Sequence, residues 1–234
     1  MNTIKCLDHG FVKLHNIASS IPRKDKEFDG QDVDPAKVAR ISFDALKEER
    51  SEELDMKLVE YLMKHKHNTP LEMTEVWLEM KLPIFVARQF VRHRTACINE
   101  VSGRYVTLPE EWYIPEVVGG KAANVKQGQE DNLEQDIQAD FKNSLNTICR
   151  DGYNCYLGFM RDGVAPEHAR LFLHVNHYTH WVWKQDLNNL MHFLALRLDE
   201  HAQVEARVYA NAIYTLLCYH LPKTMKLFDT YKRF

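Results

Sequence analysis

The sequence has no paired CxxC motif, few glycines, no long apolar run and no excess of positive charge. Its five cysteines, Cys6, Cys97, Cys149, Cys155 and Cys218, are odd in number and scattered, which excludes a disulfide framework or thiolate zinc cage and predicts reduced thiols. The nine glycines form neither GxGxxG nor GxxxxGK[ST], so the two commonest backbone phosphate cradles are missing and a bound nucleotide would rest largely on side chains. No window approaches the roughly 18 consecutive apolar residues of a membrane span. The N-terminus, Met1 to Cys6, also lacks the apolar run of a signal peptide, so the expected location is cytoplasmic with no membrane partner. A net charge of −3 removes the attraction that non-specific nucleic-acid binding needs and confines any cationic function to a local cluster. There is no HExxH, and the three-residue spacing of His174, His177 and His180 alternates faces on a strand, so no metal site is expected.

What is present supports a core. The 234 residues are 45% hydrophobic and 11% aromatic, enough apolar surface for a single domain spanning 1–234. A strand is expected near Gly10 to His15, and Asp34-Pro35-Ala36 opens a helix with Asp34 as N-cap and Val38 and Ala39 turned inward. Leu54, Leu58, Tyr61 and Leu62 form a helical stripe that Thr69-Pro70 ends. Glu75 to Leu82 alternates with period two as a half-buried strand, and Pro83 begins a helix through Arg92. Gly119 to Asn132 reads as a loop, Leu133 to Arg161 as a long helix, Pro166 as the start of a short one, Tyr178 to Trp183 as a strand and Asn188 to Tyr219 as a final helical region. Helices and strands do not alternate regularly, so the fold class is α+β: a central, mostly antiparallel sheet flanked by long helices.

Chemistry concentrates between Arg92 and Tyr105, where Arg92, His93, Arg94, Asn99, Glu100, Ser102 and Arg104 lie within fourteen residues. Guanidinium groups grip phosphate bidentately, and the amide, carboxylate and hydroxyl can read the edge of a heterocycle. Read structurally, Arg92-His93-Arg94 would only complement the C-terminal dipole of the preceding helix. A second signal is Arg197, on a stripe with Leu190, Phe193, Leu194, Leu198 and His201 at helical offsets. A cation on an apolar stripe needs an anion, either an internal carboxylate such as Asp199 or Glu200 or a ligand's phosphate or developing negative charge.

Arg92-His93-Arg94 with Ser102 after seven intervening residues, extended by Asn99-Glu100-Val101-Ser102-Gly103-Arg104-Tyr105, resembles the signature of the flavin-dependent thymidylate synthases. Further resemblance lies at Ala39 to Phe43, His67 to Glu72, Pro83 to Gln89, Ala165 to Arg170, Leu196-Arg197 and His201 to Gln203, covering about residues 35 to 210. The resemblance implies a methyltransferase converting dUMP to dTMP, with FAD as cofactor, NADPH as reductant, methylenetetrahydrofolate as one-carbon donor and hydride delivered by the reduced flavin. It implies FAD binding by Ser42, His67, Thr69, Glu72, Arg92, His93, Arg94, His192 and His201, and substrate binding by Gln89, Glu100, Ser102, Gly103, Arg104, Arg170 and Arg197. Arg197 is the expected catalytic residue, holding negative charge that develops on the uracil. Family members are homotetramers with active sites shared between subunits. Met73, Cys97, His174, Asp186 and Asn188 depart from the usual family residues, and Asp186 and Asn188 are left out of the flavin set. Cys97 is expected to be a small, partly buried residue and not a nucleophile. The alternative from another class is a nucleic-acid-binding module using Arg92 to Arg104, with Tyr105 and Trp112 as stacking partners.

Overall fold

The computed structural model describes residues 2–19, 30–45, 50–121, 129–130 and 133–231. In chain order these form β1 (Thr3–Cys6), β2 (Gly10–Ser19), α1 (Asp34–Ala39), α2 (Glu52–Lys64), α3 (Thr69–Glu72), β3 (Thr74–Pro83), α4 (Ile84–Phe90) and β4 (Cys97–Glu100). Then follow β5 (Gly120–Lys121), β6 (Gln129–Glu130), α5 (Gln135–Arg161), α6 (Pro166–Ala169), β7 (Tyr178–Asp186), α7 (Leu187–Arg197), α8 (Val204–His220) and α9 (Pro222–Tyr231). The main sheet has the order β1-β2-β3-β7-β4, and every neighbouring pair is antiparallel. The α+β class read from the sequence is what the chain adopts.

Alternation in β3 turns Val76, Leu78, Met80 and Leu82 to one face, where Trp181 and Trp183 of β7 join them. Val59 and Met63 of α2, Phe90 of α4, Phe193 of α7, Ile213 of α8 and Phe228 of α9 close the same core. Each such side chain contributes on the order of 1.5–3 kcal/mol by leaving water. The other face of the sheet carries charge instead: Glu79 pairs with Lys13 (3.5 Å), His15 (2.5 Å) and His180 (2.8 Å), and Glu75 with Lys184 (2.7 Å). At Gly10 only glycine fits, because a Cβ would lie 2.0 Å from the Tyr209 hydroxyl. That hydroxyl donates to the Lys81 carbonyl at 2.8 Å and ties α8 to the sheet.

A smaller cluster of Tyr153, Tyr156 and Ala169 holds the segment after β4 against α5. The Tyr153 hydroxyl donates to the Leu108 carbonyl (3.0 Å), the Tyr156 hydroxyl accepts from the Leu108 N–H (3.1 Å), and the Trp112 indole donates to Asn146 Oδ1 (3.0 Å). His177 lies stacked on Tyr153 with centroids 6.3 Å apart, its Nε2 lacks a partner among the described residues, and burial pushes its pKa down to about 4. The unfolded chain therefore takes up a proton here before the folded one does, and this contribution to stability falls as pH drops from about 6.5 toward 4. The melting temperature of a His177→Gln variant should fall less across that window than the parent's, and equal acid slopes would contradict a neutral buried His177.

Several local expectations are corrected. Asp34 sits inside the first turn of α1, accepting from the Gln31 N–H at 2.8 Å, and the N-cap is Val33. Ala36 faces inward while Val38 and Ala39 are only half-buried. On α2 the buried stripe is Asp55, Val59, Leu62 and Met63, leaving Leu54 and Tyr61 exposed, because Arg40 enters the core and pairs with Asp55. The α4 helix stops at Phe90, short of Arg92. The final helical region is broken between Leu198 and Gln203, which removes His201 from the Arg197 stripe, and α9 follows it. Within the expected loop Gly119 to Asn132, β5 pairs with β6, while 122–128 and 131–132 lie outside the described residues. None of the described helices is long and apolar enough to cross a membrane.

Candidate active site

Many of the residues singled out from the sequence fall in three patches, whereas Ser42, Thr69, Arg92 and Arg94 are exposed positions that no described contact ties to them. The first joins α4, the turn after it and α7. Arg197, in the last turn of α7, donates from Nε to His93 Nε2 (3.3 Å) and from Nη2 to the Gln89 carbonyl oxygen (3.2 Å). The Gln89 amide donates in turn to Gln203 Oε1 at the start of α8, and Phe193 meets the His93 ring edge-on at 4.8 Å. Burial is the main cause that lowers the His93 pKa to about 4, with Arg197 and His192 adding repulsion. Burial also draws Arg197 below the ordinary arginine value, yet a guanidinium remains charged.

The internal-carboxylate alternative for Arg197 is not what the structure forms. Asp199 accepts from the His201 N–H at 2.8 Å, Glu200 lies 3.8 Å from the His201 ring, and no carboxylate among the described residues pairs with Arg197.

The second patch is the loop after β4. Ser102 Oγ accepts from the Arg104 backbone N–H (3.3 Å), and the Arg104 guanidinium lies 5.2 Å from the Tyr105 ring centroid. A Cβ on Gly103 would lie 3.2 Å from Leu108, a tight contact, and 3.6 Å from the Arg170 side chain, which places Arg170 against the loop. Glu100 accepts from the Thr179 hydroxyl on β7, which fixes its carboxylate beside the loop.

The third patch lies where α3 meets α7. Asn188 Nδ2 donates to Glu72 Oε1 (3.4 Å), and the His67 ring stacks on Tyr61 at 5.9 Å with planes 13° apart. Ser42, Thr69, Arg92, Arg94, His192 and His201 are all exposed, and neither Arg92 nor Arg94 pairs with a carboxylate among the described residues. Exposed guanidinium groups with no carboxylate partner among the described residues suit an anionic cofactor such as a phosphorylated flavin. No group of described His, Cys, Asp or Glu residues can hold a metal ion.

Arg104 and Arg197 share no hydrogen bond, and cavities of about 450 and 590 Å³ elsewhere on the chain are lined by none of these patch residues. Sequence reasoning does not anticipate two residues that bond to the predicted site residues Glu72 and Gln89. Asn188 reads there as a departure outside the flavin set, and Gln203 has no role although it stands at the N-cap of α8. Cys97 is exposed, not partly buried, because it lies on the outer edge strand β4. Trp112 is committed to Asn146 and Tyr153, which removes one of the stacking partners of the nucleic-acid alternative.

Residues 26–223 match the family model described as thymidylate synthase complementing protein. The flavin-dependent thymidylate synthase of Gluconobacter oxydans (strain 621H) is 40% identical over 231 residues, covering 97% of this chain and 72% of that protein. The chain belongs to the flavin-dependent thymidylate synthase family. Further family relatives so named are those of Thermus thermophilus, 40% identical over 97% of this chain and 78% of its own, and Dictyostelium discoideum, 37% identical over 97% and 74%. Among solved structures, the UMP/dUMP methylase PolB of Streptomyces cacaoi bound with 5-Br dUMP superposes with a TM-score of 0.83 at 26% identity, covering 98% of this chain and 99% of PolB. The sequence reading of family and fold class is thus borne out.

Proposed function

We propose that this protein is an FAD-dependent thymidylate synthase that converts dUMP to dTMP with methylenetetrahydrofolate as one-carbon donor and NADPH as reductant. The observation that carries the reading is Arg197, a half-buried cation oriented by neutral acceptors and without a carboxylate partner among the described residues. A nucleotide carbonyl that gains negative charge during reaction is a suitable partner for such a group, because poorly solvated donors stabilise developing charge strongly. The names of relatives at about 40% identity favour dUMP over UMP, the other nucleotide in the name of the 26% identical UMP/dUMP methylase PolB.

In this reading Arg104, Arg170, Ser102 and the Gly103 peptide take the nucleotide phosphate, and Gln89 and Glu100 take its remaining polar groups. Arg92, Arg94, Glu72, Thr69, Ser42, His67, His192 and His201 hold FAD, with Asn188 added to that wall through Glu72. Bound FAD supplies hydride transfer between NADPH and the pyrimidine. The chain's own groups bind, orient and counter charge. Residues 1–234 form one catalytic domain located in the cytoplasm.

The three patches are open on one chain, and Phe43 (85% exposed), Leu171 (78%) and Tyr105 (78%) add apolar surface beside the regions named above. Such surface is what a neighbouring chain would cover, and the family resemblance makes that assembly a homotetramer in which neighbouring chains complete the sites. Purified protein should be yellow, and its flavin absorption should bleach when NADPH is added without oxygen. A colourless protein that takes up no FAD on reconstitution would refute the cofactor assignment.

A further inference from the structure

We propose that His93 is a positioning residue that holds Arg197 through the lone pair on its Nε2, fixing the guanidinium plane without cancelling its charge. The proposal rests on the reading of Arg197 as the group that meets the substrate.

A buried arginine is ordinarily held by a carboxylate, which orients it but also neutralises the field it presents. Here both acceptors are neutral: His93 Nε2 takes the Nε–H at 3.3 Å and the Gln89 carbonyl takes one Nη2–H at 3.2 Å. Of the five guanidinium N–H groups, three remain to serve a ligand. The arrangement is itself supported, since Phe193 packs against the imidazole and the Gln89 side chain is anchored to Gln203.

The chemistry sets the state of His93. Arginine offers only donors, so Nε2 must be the acceptor and the ring proton must sit on Nδ1. The titratable groups that face the ring are Arg197 and His192, both on α7, while the exposed Arg92 and Arg94 flank it along the chain. Protonating Nε2 would remove the acceptor and set cation against cation, which agrees with the depressed value of about 4. The family resemblance assigns the His93 imidazole to flavin. In this structure its Nε2 is already engaged, so only the remaining edge or the backbone is free for that use.

The test uses the full-length flavin-loaded protein. Nitrogen-15 histidine spectra, with His93 identified by the signal lost in His93→Gln, should show a neutral Nδ1–H tautomer at pH 7 that persists well below pH 6. In dTMP formation, His93→Leu should lower kcat by about 10²-fold at unchanged flavin content, a misorientation-sized loss. His93→Gln, whose Oε1 can accept from the Arg197 Nε–H, should recover at least about tenfold of it, a scale set by one restored orienting contact. An Nε2–H tautomer or an imidazolium at pH 7 would overturn the proposal, as would equal kcat values for the two variants. If the leucine variant loses flavin, the tautomer in the unsubstituted protein decides. Absence of dTMP formation by unsubstituted protein with the expected tautomer would overturn the functional reading and leave the His93–Arg197 contact standing.

Discussion

Arg197→Ala is expected to lower kcat/KM for dUMP by about 10³-fold or more, the size seen when a donor aimed at developing charge is removed. Flavin content should stay near that of the parent, because Arg197 bonds to His93 and Gln89 in the first patch while the flavin-side cations Arg92 and Arg94 are exposed on their own. The fold should tolerate the change. No carboxylate among the described residues is left unpaired by it, so the large penalty for stranding a buried anion does not arise. Arg197→Lys should recover only part of the loss, since a lysine restores charge but cannot reproduce the fork that bonds both acceptors. Normal dUMP turnover by the alanine variant would remove Arg197 from the chemistry.

Mixed oligomers give the second large effect. Arg104 is pinned with its loop onto α5 through Leu108, whereas Arg197 sits on α7 against α4, and no hydrogen bond links the two patches in one chain. If the site is completed by a neighbour, Arg104→Ala and Arg197→Ala subunits are each inactive alone but leave some intact sites when mixed. Co-expression with two different tags, followed by isolation of the hybrids, should restore a substantial fraction of parental activity from a near-zero background. Verified hybrids that remain dead would show that both residues must come from one chain.

The legible parts of the sequence are those whose signal is local. The period-two run of Glu75 to Leu82 becomes β3, Pro83 and Pro166 mark helix starts, and the Arg92 to Tyr105 signature points to the family without any geometry. What fails depends on distant partners. Leu54 and Tyr61 have the spacing of core positions, but Arg40 and Asp55 occupy that interior as a buried pair, a contact between separate helical turns that periodicity cannot reveal. Arg197 is visible as a cation on an apolar stripe. Its neutral partners are not, because the His93 lone pair and the Gln89 carbonyl reach it only through the packing of α4 against the end of β7 and the helices beyond. Asn188 resembles a defect in the flavin wall by residue type, and its bond to Glu72 requires α3 and α7 to be adjacent.

The central claim is tested most directly by incubating purified, FAD-loaded protein with dUMP, methylenetetrahydrofolate and NADPH and measuring dTMP by chromatography, with each component omitted in turn. The account expects dTMP only in the complete mixture, with NADPH oxidised in proportion. Failure of the complete mixture to yield dTMP from protein that retains FAD, or dTMP formation that continues without a reductant, would contradict it.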